Sequence, residues 1–135
     1  MWTCPRCGRT FANTNQTHTC APLGSLDDHF ARSEPHVRAI FDALRAAVEP
    51  VDVLPERSRI AFHIRMSFAA FVPRREWLDG HLVLGRTASH AAFTKVEVYS
   101  PRNVLHAFRL HEPPDDAFLE LLGEARAVGE QRHLG

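Results

Sequence analysis

Between residues 34 and 48 the apolar side chains Val37, Ile40, Phe41, Leu44 and Val48 recur every three or four positions. That spacing predicts an amphipathic helix with one buried stripe. Ser33 stands where an N-cap is expected, Pro35 suits a first helical turn, and Pro50 ends the segment. A second stripe, Phe118, Leu121, Leu122, Ala125 and Val128, predicts a helix from about 116 to 131, capped by Asp115. Between the two stripes the period changes to two. Over residues 59–65, Ile60, Phe62 and Ile64 take one face and Arg59, Ala61, His63 and Arg65 the other. Residues 51–54, 67–73, 81–86, 94–99 and 104–111 also read as strands. The run 67–73 is apolar enough for a central strand, and Val96 and Val98 are expected to point inward. Asp79-Gly80 and Pro101-Arg102-Asn103 read as turns, and residues 26–32 as a short helical turn.

Successive strands joined by short turns imply a mainly antiparallel sheet of five or six strands. Helices at both ends of the strand series would cover one face. The expected fold is therefore α+β, a two-layer domain over residues 23–135 whose second sheet face is open. A separate N-terminal unit, residues 1–22, is set off by the linker APLGS.

Cysteine usage defines that unit. All three cysteines fall within the first 20 residues, which is no disulfide framework. Cys4-Pro5-Arg6-Cys7-Gly8 is a knuckle whose two-residue spacing directs both thiolates at one centre. With His18 and Cys20 it supplies three sulfurs and one nitrogen, a closed tetrahedral set for a structural Zn²⁺. A redox CxxC is the alternative reading. Twenty residues build no core of their own, so metal binding would drive their folding.

Formal net charge is zero, which argues against non-specific DNA binding by bulk charge. Its distribution is uneven. Residues 57–109 carry nine bases against three acids, whereas residues 26–56 and 110–135 each carry a net −4. A basic middle between acidic flanks points to a basic sheet face built from Arg59, His63 and Arg65, with Arg74 and Arg75 at the end of the next strand. Arginines beside an aromatic residue such as Tyr99 suit a phosphate or a stacked base. The alternative is a solvated face whose arginines pair with acids from the flanks.

The nine histidines show no HxxxH or HExxH spacing, and no GxSxG, P-loop or GxGxxG is present. A small hydrolase using His63 with Arg59 and Arg65 lacks a nucleophile with a spaced base, so no catalytic residue is assigned. No apolar run reaches the roughly 20 residues of a membrane span. The start MWTCPRCGR has no apolar signal-peptide core, so a cytoplasmic location is expected.

Taken together, CPRCGRTFANTNQTHTC, LDDHF, PHVRAIFDAL, SRIAFHIRMSFAAFVPRREWL and YSPRNVLHAFRL with PPDDAFLELLGEARAVG resemble a bacterial domain family of unknown function that often carries this zinc knuckle. That domain is in turn distantly similar to the YdhG-like domains, some described as frataxin-like iron chaperones. The resemblance implies zinc at Cys4, Cys7, His18 and Cys20 and implies no catalytic residues. The frataxin comparison would place iron on acidic helix surfaces, here Asp27, Asp28, Glu34 and Asp42.

The sequence thus predicts a zinc-containing binding protein. Its knuckle, with Arg6 and Arg9, and its basic sheet face would engage nucleic acid or another anionic ligand. The second expectation is a frataxin-like metal carrier.

Overall fold

The structure, a computed structural model, describes residues 1–5, 10–11 and 24–131. A two-stranded ribbon pairs β1 (Trp2–Thr3) with β2 (Thr10–Phe11). Two helices follow, α1 (Leu26–Phe30) and α2 (Pro35–Val48). The next four strands are β3 (Asp52–Pro55), β4 (Ile60–His63), β5 (Ser67–Pro73) and β6 (Leu78–Leu84). After β7 (Phe93–Ser100) and β8 (Asn103–Leu110), α3 (Asp116–Gly129) closes the chain. The main sheet has the order β3-β4-β5-β6-β8-β7, with every neighbouring pair antiparallel. The expected α+β arrangement of a six-stranded antiparallel sheet and helices is therefore present. Among the described residues no helix is long and apolar enough to cross a membrane.

Register places one row of side chains under the helices. Ile60 lies opposite Phe71, Phe71 opposite Gly80, Gly80 opposite Phe108, and Phe108 opposite Phe93. Onto this row α2 lowers Val37, Ile40, Phe41 and Leu44, and α3 lowers Phe118, Leu122 and Ala125. The rings interlock edge-on: Phe41 meets Phe71 at 5.6 Å, Phe62 meets Phe71 at 4.6 Å, and Phe108 meets Phe118 at 5.0 Å. Edge-to-face geometry adds to the burial of area for such pairs. Polar ties hold the two helices together. Arg126 of α3 donates to the Val48 carbonyl at the C-terminus of α2, at 2.6 Å, where carbonyls lack partners.

Asp115 caps α3 as expected, accepting from the Phe118 N–H at 2.7 Å. The other cap differs. Glu34, not Ser33, precedes α2, and its side chain makes no capping bond. Ser33 instead donates its hydroxyl to the Arg74 carbonyl at 2.7 Å, tying the link between α1 and α2 to the end of β5.

Asp79 and Gly80 also depart from expectation, lying inside β6 instead of in a turn. The chain reverses earlier, where the Arg74 N–H donates to the Trp77 carbonyl. Gly80 is in the strand because it lies between two rings. Phe71 and Phe108 approach to 6.0 Å across it. Val96 and Val98 are a third departure. They project toward the helix side but stay 40% and 65% exposed, because α2 and α3 pack mainly over β5 and β6 and α3 meets β7 at Phe93.

A methyl group at Gly80 would strike the Ala70 carbonyl oxygen and come within 2.6 Å of the Phe108 ring. The carbonyl belongs to a paired central strand and has no room to retreat. Gly80→Ala is expected to lower stability by about 1–3 kcal/mol, read as a fall in melting temperature with unchanged far-UV circular dichroism at low temperature.

Candidate anion-binding site

The five residues expected to form a basic sheet face are not gathered there. β5, seven residues long, separates Arg65 in the β4–β5 turn from Arg74 and Arg75, a distance of roughly 20 Å at strand geometry. Arg59 donates Nε to Glu56 at 3.0 Å. His63 is 5% exposed. Its Nδ1 is 3.3 Å from Ser67 Oγ, and its Nε2 is 3.4 Å from the Thr10 carbonyl. Because Thr10 lies in the N-terminal ribbon, this part of the sheet face is covered. Its neighbours Ala61 and Ala70 are buried as well. The face expected to be open is therefore closed over β4 and β5.

Farther along the same face, basic groups meet acids. Asp79 accepts from Arg109 Nε at 2.8 Å and from Arg74 Nε at 3.1 Å. Burial pushes the Asp79 carboxyl up, but the hydrogen bonds from Arg109 and Arg74 outweigh it and hold the carboxyl below its usual range. Arg109 also stacks over Trp77, 4.5 Å from the ring centre. On β7, Lys95 pairs with Glu97, and Tyr99 donates its hydroxyl to Glu97 at 2.7 Å.

Arg74 and Arg75 converge with different partners. They line an open pocket of about 790 Å³ together with Asp28, His29, Ala31, Arg32, Ser33 and Pro73. The pocket forms because the α1–α2 link is bound to the β5 end at two points. One is the Ser33 hydroxyl bond; the other is the Glu34 N–H to the Arg75 carbonyl, at 2.8 Å. His29 braces the opposite wall by donating Nε2–H to the Glu56 carbonyl at 2.6 Å.

Three arginines and a single carboxylate residue, Asp28, thus line the pocket. Arg74 is partly engaged by Asp79. Arg32 and Arg75 make no side-chain hydrogen bond or ion pair among the described residues. Guanidinium stays protonated at any physiological pH and matches phosphate or carboxylate oxygens in a two-point fork. The pocket can therefore hold an anion with several oxygens. Sequence reasoning missed Arg32 and His29, which lie far from Arg74 in the chain. The available signal was an arginine in the short link just before the Ser-Glu-Pro helix start.

Among the described residues, three other histidines hold backbone groups. His106 is fully buried and accepts the Ala88 N–H at Nε2, 2.9 Å away. Its Nδ1–H therefore donates to the Val104 carbonyl, at 3.0 Å. This neutral ring pins the segment that crosses from β6 to β7. Burial lowers its pKa from the ordinary histidine value. His90 accepts the Ala92 N–H at Nδ1 and donates Nε2–H to Asp115, at 2.9 Å in each case. His36 donates to the Glu76 carbonyl at 2.7 Å.

Of the expected zinc ligands, Cys4 is described and is 2% exposed. Cys7, His18 and Cys20 lie outside the described residues. The acids expected to hold iron are dispersed. Asp27 pairs with Arg38 at 2.7 Å, and Glu34 lies 3.5 Å from His36. Among the described residues no group of three or more His, Cys, Asp or Glu is placed to hold a metal ion.

Comparisons with protein families, with curated proteins and with solved structures find no match. The family resemblance therefore rests on the sequence pattern alone.

His81 gives the fold a pH signature. Burial first, and then the nearby charge of Arg59, pull its pKa from 6.5 down to about 4. The folded chain resists protonating this ring, so its contribution to stability is complete above pH 6.5 and is lost as pH falls toward 4. We expect a loss of at most about 3 kcal/mol across that window, read from urea unfolding at successive pH values. His81→Gln should flatten the curve there.

Proposed function

We propose that this chain is a zinc-stapled binding module for a phosphate-bearing ligand, with nucleic acid the leading class, and that the ligand enters through the pocket of Arg32, Arg74 and Arg75. The observation that carries this reading is the pair Arg32 and Arg75, two guanidiniums without acid partners among the described residues, which line one pocket with Arg74. Among the described residues several other cations are matched, Arg59 with Glu56, Arg109 with Asp79 and Arg86 with Glu124, while Arg57 and Arg65 are unmatched but lie apart from each other and outside this pocket's lining. Exposed pairs of that kind contribute little stability, but they neutralise the surface. At Arg32 and Arg75 two unmatched charges share one pocket, where a ligand can supply the counter-charge.

Zinc fits the proposal as a staple. Cys4, Cys7, His18 and Cys20 would hold it, and their donor set of three thiolates and an imidazole leaves no position open to substrate. Cys4 is already withdrawn from solvent, as a metal-bound thiolate would be. When bound, the metal supplies folding energy to a segment too short for a core. His63 receives that segment on the sheet through the Thr10 carbonyl. Arg6 and Arg9 would add their charge to the basic surface. Among the described residues Asp27, Asp28, Glu34 and Asp42 form no group of three or more placed to hold an ion, which favours the anion-binding reading over an iron carrier.

Two experiments test the proposal. Fluorescence titration with short single- and double-stranded oligonucleotides should show affinity falling steeply with salt. Arg32→Ala with Arg75→Ala should weaken binding at least about tenfold and reduce the salt slope by about 1–2. Undetectable binding, or binding indifferent to salt and to both substitutions, would contradict the site. Metal analysis should find one zinc per chain purified without added metal, and Cys4→Ser should release most of it. A metal-free wild-type protein that unfolds as a single unit would refute the staple.

A further inference from the structure

The two edges of the main sheet are built differently. β3 is four residues long, ends in Pro55 and begins just after Pro50. Met1 and Thr10 come close to it, lining a cleft with Val51, Asp52 and Val53. Proline and short length are the usual ways a sheet edge is blunted. At the other edge β7 runs for eight residues. It carries three of the four large hydrophobic side chains found exposed among the described residues: Val96 at 40%, Val98 at 65% and Tyr99 at 68%. An edge strand has a row of unpaired N–H and C=O groups, and here it also carries exposed apolar side chains.

We propose that β7 pairs antiparallel with β7 of a second copy of this chain, joining two sheets across a twofold axis at Val96. The charges on the strand select this register. Irregularities in the pairing with β8 fall between Phe93 and Lys95 and between Val98 and Ser100, leaving Lys95–Val98 as the regular stretch. Directly opposed residues of an antiparallel pair share a sheet face. A twofold axis perpendicular to the sheet can therefore pass only through paired identical residues. An axis at Lys95 sets lysine against lysine, and one at Glu97 sets glutamate against glutamate. An axis at Val96 sets each Lys95 against the second copy's Glu97, twice, on the outer face. On the helix-side face it sets Val96 against Val96, with Val98 next to this pair. Lys95 is the only lysine in the chain, and by itself it would discourage edge pairing. With Glu97 two residues away, the edge becomes complementary to itself, as an isologous interface requires.

Sedimentation velocity over a range of concentrations tests the pairing. The wild-type chain should be a dimer that dissociates on dilution. Glu97→Lys should weaken it at least about tenfold by opposing like charges. The swapped variant Lys95→Glu with Glu97→Lys should recover dimerisation, because it restores both pairs in the same register. Circular dichroism establishes that each variant is folded. A wild-type chain that stays monomeric throughout would overturn the proposal. So would a dimer indifferent to Glu97→Lys, or a folded swapped variant that remains monomeric.

Discussion

The fold depends on the contact of Phe71 with Phe108 above Gly80. Three strands meet at that point, and the absence of a side chain on the middle strand lets rings from its two neighbours touch. Phe41 from α2 and Phe118 from α3 then seat on those rings. The two helices are thereby fixed over β5 and β6, and they reach β7 at its start, where Phe93 meets Phe118, leaving Val96 and Val98 exposed. The core, the covered face and the bare edge all follow from where this cluster is centred.

The periodic parts of this plan were legible in the sequence. Val37 to Val48 and Phe118 to Val128 read as helix faces, and the alternation over residues 59–65 as a strand, found at Ile60–His63 but buried on both faces. The Asp79-Gly80 turn was misread because a local turn signal competed with a demand from packing. Nothing in the neighbouring residues shows that Gly80 must make room for two rings distant in sequence. The inward placement of Val96 and Val98 failed for a related reason. Alternation tells which face of a strand a residue takes, but not whether a helix covers that part of the face.

The candidate site was half legible. Arg74 and Arg75 stood out as basic residues leaving a strand. Their association with Arg32 depends on Ser33 and Glu34 binding the backbone of the β5 end, a contact between segments 41 residues apart. Parity placed Arg59 and His63 on a common face; His63 lies in β4 and Arg59 just before it. Parity could not show that Glu56 would engage one and that the N-terminal ribbon would cover the other. Among the described residues much of the uneven charge is thus paired, and two of the unpaired arginines, Arg32 and Arg75, share one pocket.

The most direct test of that account is an NMR titration of the arginine Nε–H resonances with inorganic phosphate and then with a short oligonucleotide. We expect saturable shifts at Arg32, Arg74 and Arg75, with Arg59 and Arg109 unmoved because their carboxylate partners already hold them. Shifts spread evenly over all arginines, or centred on Arg59 and Arg109, would contradict a pocket defined by unmatched guanidinium groups.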